Sequence, residues 1–207
     1  MKQYQTEFGT IIGNIDAKYY TRNPFARALM NGFLSDFDNL VLRSGSQAVH
    51  EIGCGEGHLS ARLADLGLTV RSSDFSRDII AKASDLNAGR GIDFTVRSIY
   101  DLNRDEDRAP LVVCCEVLEH LLDPERGLNC LAAIAEEFCI LSVPREPLWR
   151  ALNMLRWRYL SDLGNTPGHF QHWNKRRFMT LVSRYFNIVE VRSPLPWTMI
   201  LCRAKSQ

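Results

Sequence analysis

Ala48-Val49-His50-Glu51-Ile52-Gly53-Cys54-Gly55-Glu56-Gly57 is the stretch on which the reading of this chain turns. A short apolar strand stops near the acidic Glu51 and breaks into a glycine-rich turn, after which Leu59, Leu63 and Leu66 recur at helical spacing. Strand, turn and helix together predict a nucleotide-type pocket at the carboxyl end of a parallel strand. Glycine suits such a turn because a Cβ would obstruct both a positive φ and the close approach of a ligand to the backbone. The helix start that follows offers N–H groups and a positive dipole end, suited to an anionic group such as a carboxylate.

The spacing here is G-x-G-x-G, not the G-x-G-x-x-G of dinucleotide sites. On Glu51, Gly53, Gly55 and Gly57 the segment resembles motif I (E/D-x-G-x-G-x-G) of the class I S-adenosylmethionine-dependent methyltransferases. A glycine turn alone also fits an ordinary strand-to-helix connection, so the pieces downstream carry weight. Residues 69–73 predict a second strand ending at Asp74, about 20 residues after Gly53, the distance at which an acidic residue meets ribose hydroxyls. A carboxylate accepts from both hydroxyls at once; the alternative for Asp74 is a cap on the helix that starts near Ser76. The resemblance implies that Phe75 and Ser76 border the adenosine. It also implies that Ser98 and Ile99, after a third strand at 92–96, meet the adenine. The family commonly has Asp where this chain has Ser98, with Asp101 an alternative. Cys54, Cys115 and Glu116 complete the expected cofactor contacts.

Residues 110–115 form a continuous apolar run, the mark of a central parallel strand covered on both faces. It leads into Glu116-Val117-Leu118-Glu119-His120, which resembles motif IV of the same family in its Glu-x-x-Glu-His form. Read as a helix, the i, i+3, i+4 spacing puts Glu116, Glu119 and His120 on one face. Two carboxylates and an imidazole so placed suit a divalent ion, Mg²⁺ or Mn²⁺, with His172 or His169 as a further ligand from a later loop. This set resembles the metal site of small-RNA 3′-end 2′-O-methyltransferases and a similar set in ubiquinone-pathway O-methyltransferases. The alternative is metal-free: Glu-His at this place orders the loop or lines the acceptor cavity. Methyl transfer from a sulfonium needs an aligned nucleophile and removal of its proton. His120, His169 and His172 are the candidate bases, because imidazole titrates near neutral pH, with Glu119 beside them.

Upstream, Phe25, Leu29, Phe33, Leu34 and Phe37 predict a helix over 24–42. Residues 1–47 read either as packing helices or as a lid over the cofactor, with Lys18 or Tyr19 near the methionine carboxylate. Asn23-Pro24-Phe25 also resembles an Asn-Pro segment of the ubiquinone-pathway enzymes. Downstream, a helix over 128–138 and a fifth strand over 139–143 are predicted, then an aromatic and basic helix over 147–160 and a His-bearing loop over 164–173. The helix at 147–160 either packs on the domain or lies at a membrane surface. Its arginines favour an anionic or lipid-linked acceptor. A helix over 176–185 and a strand pair at 187–192 and 198–203 close the chain.

Length and composition agree with one globular domain: 207 residues, 45% hydrophobic and 24% charged. The net charge of +1 does not nominate nucleic acid. Six cysteines without C-x-x-C or zinc spacing predict buried free thiols in a reducing, cytoplasmic setting. Neither a signal pattern at the amino end nor an apolar run of about 20 residues is present. The expectation is an α/β, Rossmann-like, seven-stranded, mostly parallel sheet with an antiparallel final strand. Within that one domain, 1–47 is the helical lid, 48–143 the cofactor core, 144–178 a substrate-recognition insertion and 179–207 the closing helix and hairpin. The function implied is methyl transfer from S-adenosyl-L-methionine to a small molecule, with an oxygen as the expected acceptor atom. An RNA-end 2′-O-methyltransferase and a non-catalytic scaffold are the alternatives.

Overall fold

The structure is a computed structural model that describes residues 6–7, 10–11, 23–155, 162–166 and 168–205. Lys18 and Tyr19, and with them the expected contact to a methionine carboxylate, lie outside the described residues. So does 156–160, the second half of the expected aromatic and basic helix.

The first long helix, α1 (Pro24–Ser44), starts where the sequence says it should. Asn23 caps it by accepting from the Phe25 and Ala26 amides, and Pro24 sits in the first turn. Gly45, at φ 66°, ends it in the left-handed conformation. Met30, Phe33, Phe37, Leu40 and Val41 form its buried stripe.

Seven strands follow: β1 (Ala48–Ile52), β2 (Thr69–Asp74), β3 (Asp93–Val96), β4 (Ala109–Cys115), β5 (Ala135–Pro144), β6 (Phe186–Arg192) and β7 (Trp197–Ala204). They form one sheet in the order β3-β2-β1-β4-β5-β7-β6. The strands from β1 to β5 pair in parallel, whereas β7 runs antiparallel to both β5 and β6. This is the expected mostly parallel sheet with its closing hairpin. The order reverses between β1 and β4, and in such sheets ligands bind outside the carboxyl ends of the strands at that switch point.

Two cores flank the sheet, as alternating side chains require. Leu111 and Val113 of β4 join Phe33 and Phe37 of α1 and Leu59 and Leu63 of α2 (His58–Asp65) on one face. Val112 and Cys114 join Leu128 and Leu131 of α5 (Pro124–Ile134) and Phe178 and Val182 of α7 (Lys175–Val182) on the other. Two further helices, α3 (Arg77–Leu86) and α4 (Arg104–Asp107), connect β2 to β3 and β3 to β4. The remaining helix, α6 (Leu148–Leu155), follows β5.

Two sequence expectations need correction. The helix placed over 128–138 starts earlier, at Pro124 behind an Asp123 cap, and ends at Ile134. Ala135 already pairs with Ala109, so the stretch from Ala135 onward belongs to the sheet despite its helix-favouring residues. The Glu-x-x-Glu-His segment is also not an α-helix. Only Leu118–His120 coil, as a single 3₁₀ turn, and Glu116 precedes it at φ 60°. All six cysteines are free thiols, five of them buried.

Candidate active site

The glycine turn sits at the tip of β1. The Gly53 and Cys54 amides both donate to the Ser73 carbonyl at the end of β2, which locks the two strand ends together. Gly53, Gly55 and Gly57 have φ of 74°, 54° and 77°, all in the left-handed region that glycine enters without a Cβ penalty. Their surroundings differ. A Cβ on Gly53 would lie 2.3 Å from Val117 Cγ2, and one on Gly57 would lie 2.7 Å from Asn87 Nδ2 and 2.9 Å from Phe94 Cζ. A Cβ on Gly55 would meet nothing within 4 Å. Gly53 and Gly57 are therefore fixed by packing, and Gly55 borders open space.

Asp74 closes the other side of this space. Its Oδ2 accepts from the Gly55 amide and its Oδ1 from the Ser76 amide, each at 3.1 Å. Capping of α3 falls to Ser76, whose hydroxyl accepts from the Ile79 amide. That leaves Asp74 as the carboxylate at the β2 tip rather than the cap of the helix. Phe75 follows it, half-buried. Ser98 plays a similar capping part after β3, accepting from the Tyr100 amide, and Ile99 is buried beside it.

Glu51 lies beneath the turn, 3% exposed. Ser60 of α2 donates to its Oε2, and Ser72 donates in turn to Ser60. Burial pushes the Glu51 carboxyl up to about 8, against the lowering effect of the Ser60 hydrogen bond. The Cys54 and Cys115 thiols are raised by burial as well, so both are neutral packing groups at neutral pH. Neighbouring His50 is a satisfied core residue: Nδ1 donates to the Asp107 carbonyl and Nε2 accepts from the Ser73 hydroxyl.

A second group of polar residues occupies the tip of β4. Glu119, His120 and His169 bring one ligand atom each to within 4.8 Å of one another. Glu119 and His169 are buried and His120 is half-buried. The segment carrying His169 is stitched to the 3₁₀ turn: the Phe170 and Gln171 amides donate to the Glu119 carbonyl, and Gln171 Nε2 donates to the Leu121 carbonyl. His120 Nδ1 lies 2.9 Å from the Gly168 carbonyl, which can only accept. The neutral ring therefore carries its proton on Nδ1 and its lone pair on Nε2. The two imidazoles meet edge to face, centroids 4.8 Å apart.

Glu116 and His172 stand outside this group. The Glu116 carboxylate accepts from Trp197 Nε1 at 2.7 Å and from the Ser142 hydroxyl. His172 has a buried Nδ1 without a hydrogen-bond partner and lies in the electrostatic field of Glu146, whose carboxyl is raised chiefly by burial. The sequence missed Trp197, Ser60 and the 168–171 backbone. Only Ser60 had a usable signal, its place on the first turn of the helix that packs over Glu51.

α6 borders the same end of the sheet. Trp149 stacks on His169 and donates from Nε1 to Thr166. Arg150 is committed locally, its Nε donating to the Leu163 carbonyl and its Nη2 to that of Asp162. Met154, Leu155, Leu163 and Phe170 are exposed. Among the described residues no helix is long and apolar enough to cross a membrane.

Comparison with known proteins agrees with this arrangement. The ubiquinone biosynthesis O-methyltransferase of Xanthomonas euvesicatoria is 29% identical over 140 residues, covering 65% of this chain and 59% of the relative. The chain thus spans about three fifths of the length of that relative. Among solved structures, magnesium protoporphyrin IX methyltransferase from Synechocystis with bound SAH matches at TM-score 0.67 and 21% identity, over 89% of each chain. The methyltransferase domain of bacterial CtHen1 matches at TM-score 0.65 and 17% identity, over 84% of this chain and 99% of the other. At these identities the structures establish the shared fold. The family model for the methyltransferase domain matches residues 32–191, most of the chain and every element that builds the two polar groups. With its glycine turn, its acidic β2 tip and its sheet order all in place, the chain belongs to the class I methyltransferase domain family.

Proposed function

We propose that the protein transfers a methyl group from S-adenosyl-L-methionine to a small-molecule acceptor, at an oxygen. The observation that carries this reading is the pairing of Gly55 and Asp74 around open space at the switch point of the sheet. Asp74 then receives the ribose hydroxyls, and the methionine end lies along the turn above Glu51. Glu119, His120 and His169 sit at the neighbouring β4 tip, where an acceptor would approach. His120, with its lone pair on Nε2, suits removal of a hydroxyl proton, a contribution of about 10²–10⁴-fold in rate. The names of the ubiquinone-pathway relatives support oxygen as the acceptor atom. Tritium transfer from labelled S-adenosylmethionine into a metabolite extract tests the reading. Label found only in RNA would replace it with RNA-end methylation, and failure of S-adenosylhomocysteine (SAH) to bind would leave a scaffold.

The same three residues suit a divalent cation. Two imidazoles and one carboxylate favour Mn²⁺ over Mg²⁺, which prefers an all-oxygen shell. A ligating imidazole also commonly donates its second N–H to a backbone carbonyl, as His120 does to Gly168. Glu119, His120 and His169 would hold the ion, which would supply Lewis-acid activation of the acceptor hydroxyl. This donor set, which resembles the metal site of small-RNA 3′-end 2′-O-methyltransferases, supports RNA-end 2′-O-methylation as the second reading.

Exposed Met154, Leu155, Leu163 and Phe170 support peripheral contact with a membrane and a lipid-linked acceptor. Co-sedimentation with anionic liposomes tests that contact, and protein left in the supernatant counts against it.

A further inference from the structure

The 3₁₀ turn of Leu118–His120 touches both polar groups at once. Val117, just before it, packs against Gly53, so closely that a Cβ there would overlap Val117 Cγ2. The Glu119 carbonyl, within it, holds the backbone of Phe170 and Gln171. Whatever sets the direction of the chain at Glu116 therefore sets the position of the expected cofactor turn against the expected acceptor cluster.

Glu116 sits in the left-handed region at φ 60°, where a side chain with a Cβ is strained. Strain of this kind persists only where the surroundings enforce it. Here the enforcing contacts are visible. The Glu116 amide donates to the Ser142 carbonyl at 3.0 Å, and its carboxylate accepts from the Trp197 indole N–H at 2.7 Å. The indole is itself pinned. Its ring meets Phe33 of α1 edge to face at 5.0 Å and Trp149 of α6 at 5.7 Å. Trp197 opens β7, and because β7 runs antiparallel, that end lies at the same edge of the sheet as the tips of β4 and β5, paired with Pro144.

We propose that Trp197 is a positioning residue: its indole N–H clamps the Glu116 carboxylate and so holds the left-handed bend that places Glu119 and His120 against the 168–171 segment. Trp197 need not touch either reactant. It acts through Glu116, and its two ring neighbours tie that bend to α1 on one side and to α6 on the other. The consequence for activity rests on the methyltransferase reading, but the geometric claim does not.

The test is a double-mutant cycle on the full chain. Trp197→Phe keeps an aromatic ring at the place of the indole against Phe33 and Trp149 and removes the donor together with part of the ring. Glu116→Gly removes both the clamped carboxylate and the strain, since glycine takes φ near 60° freely. The readouts are the imidazole C2–H resonances of His120 and His169, assigned by single substitutions, with the core residue His50, held by Asp107 and Ser73, as a control, and calorimetric SAH affinity. In the wild-type background Trp197→Phe is expected to displace the His120 and His169 resonances, leave His50 in place and weaken SAH binding through the displaced turn. In the Glu116→Gly background the same change is expected to do neither. An equal effect in both backgrounds, as mere packing against Trp149 would give, overturns the proposal, and so does no effect in either. If Trp197→Phe does not fold, Glu116→Leu takes its place. It removes both accepting oxygens, and unmoved resonances would equally overturn the proposal. Should wild type fail to bind SAH, the methyltransferase reading falls, while the imidazole readout still decides the positioning role.

Discussion

Asp74 holds Gly55: Oδ2 of the carboxylate accepts the glycine amide at 3.1 Å, across the gap between the tips of β2 and β1. The other oxygen accepts from Ser76. One side chain thus fixes the shape of the glycine turn and presents a carboxylate to whatever lies beside it.

Asp74→Ala should remove both tasks, and Asp74→Asn only part of them, since the amide keeps one accepting oxygen. Hydrogen bonds to a charged group are worth about 1.5–3 kcal/mol each, so SAH affinity should fall roughly 10- to 100-fold or more in the alanine variant and less in the asparagine variant. Calorimetric titration of SAH checks the order. Equal affinity in wild type and Asp74→Ala would remove Asp74 from the cofactor site.

The three glycines of the turn should separate under substitution. Gly53→Ala and Gly57→Ala push a Cβ into Val117 or into Asn87 and Phe94, on top of an unfavourable φ. Gly55→Ala meets no neighbour and bears only the cost of left-handed backbone, about 1–2 kcal/mol. Thermal melts should therefore show larger losses at 53 and 57 than at 55, while SAH binding at 55 suffers beyond its modest loss of stability. A Gly55→Ala protein that binds SAH like wild type would show that the ligand does not approach there.

Much of this was legible in the sequence, and the exceptions have physical causes. The strands at 48–52 and 109–115 announce themselves by largely apolar runs ending at turns, the strand at 69–74 by its place before Asp74, and the Gly53-to-Asp74 spacing follows from the length of one helical crossover. The β5 start was not legible because Ala135, Glu136 and Glu137 favour helix locally, and only pairing with β4 draws them into the sheet. The Glu-x-x-Glu-His spacing suggested one helical face, but a single left-handed residue at Glu116 sends its carboxylate to Trp197 instead. Nothing local to Trp197 foretells an ion-dipole contact with a residue just past the end of another strand. The choice of His169 over His172 depends on the path of residues 168–173, which have no periodicity to read.

Glu51 should make both stability and cofactor binding depend on pH. Burial raises its carboxyl from an ordinary 4.5 to about 8, so between those values the unfolded chain loses this proton while the folded chain keeps it. The unfolded state then binds fewer protons, and stability falls as pH rises through that window, by up to a few kcal/mol as an order of magnitude. Urea denaturation between pH 5 and pH 8 should show a steeper decline for wild type than for Glu51→Gln. An approaching ammonium, such as the amino group of SAH, favours the ionised carboxylate. Binding at pH 7 should therefore release a proton, seen as a binding enthalpy that differs between phosphate and Tris buffers. A difference that persists in Glu51→Gln would assign the proton to another group.

The group of Glu119, His120 and His169 narrows a prediction that the sequence left open. Glu119, His120 and His169 converge, whereas the Glu116 carboxylate is taken up by Trp197 and Ser142, and His172 lies in the field of Glu146. If Mn²⁺ binds at this end of the sheet, its calorimetric affinity should fall at least about tenfold in Glu119→Gln and in His169→Ala, each a lost ligand. It should change little in His172→Ala. Loss at His172 with retention at His169 would make His172 the later-loop ligand and contradict the loop geometry. Absence of any Mn²⁺ heat in wild type would leave the three residues as a metal-free proton-handling group. In that case His120→Ala should slow methyl transfer by about 10²–10⁴-fold, as loss of a general base does, with SAH affinity unchanged if His120 serves the acceptor as proposed.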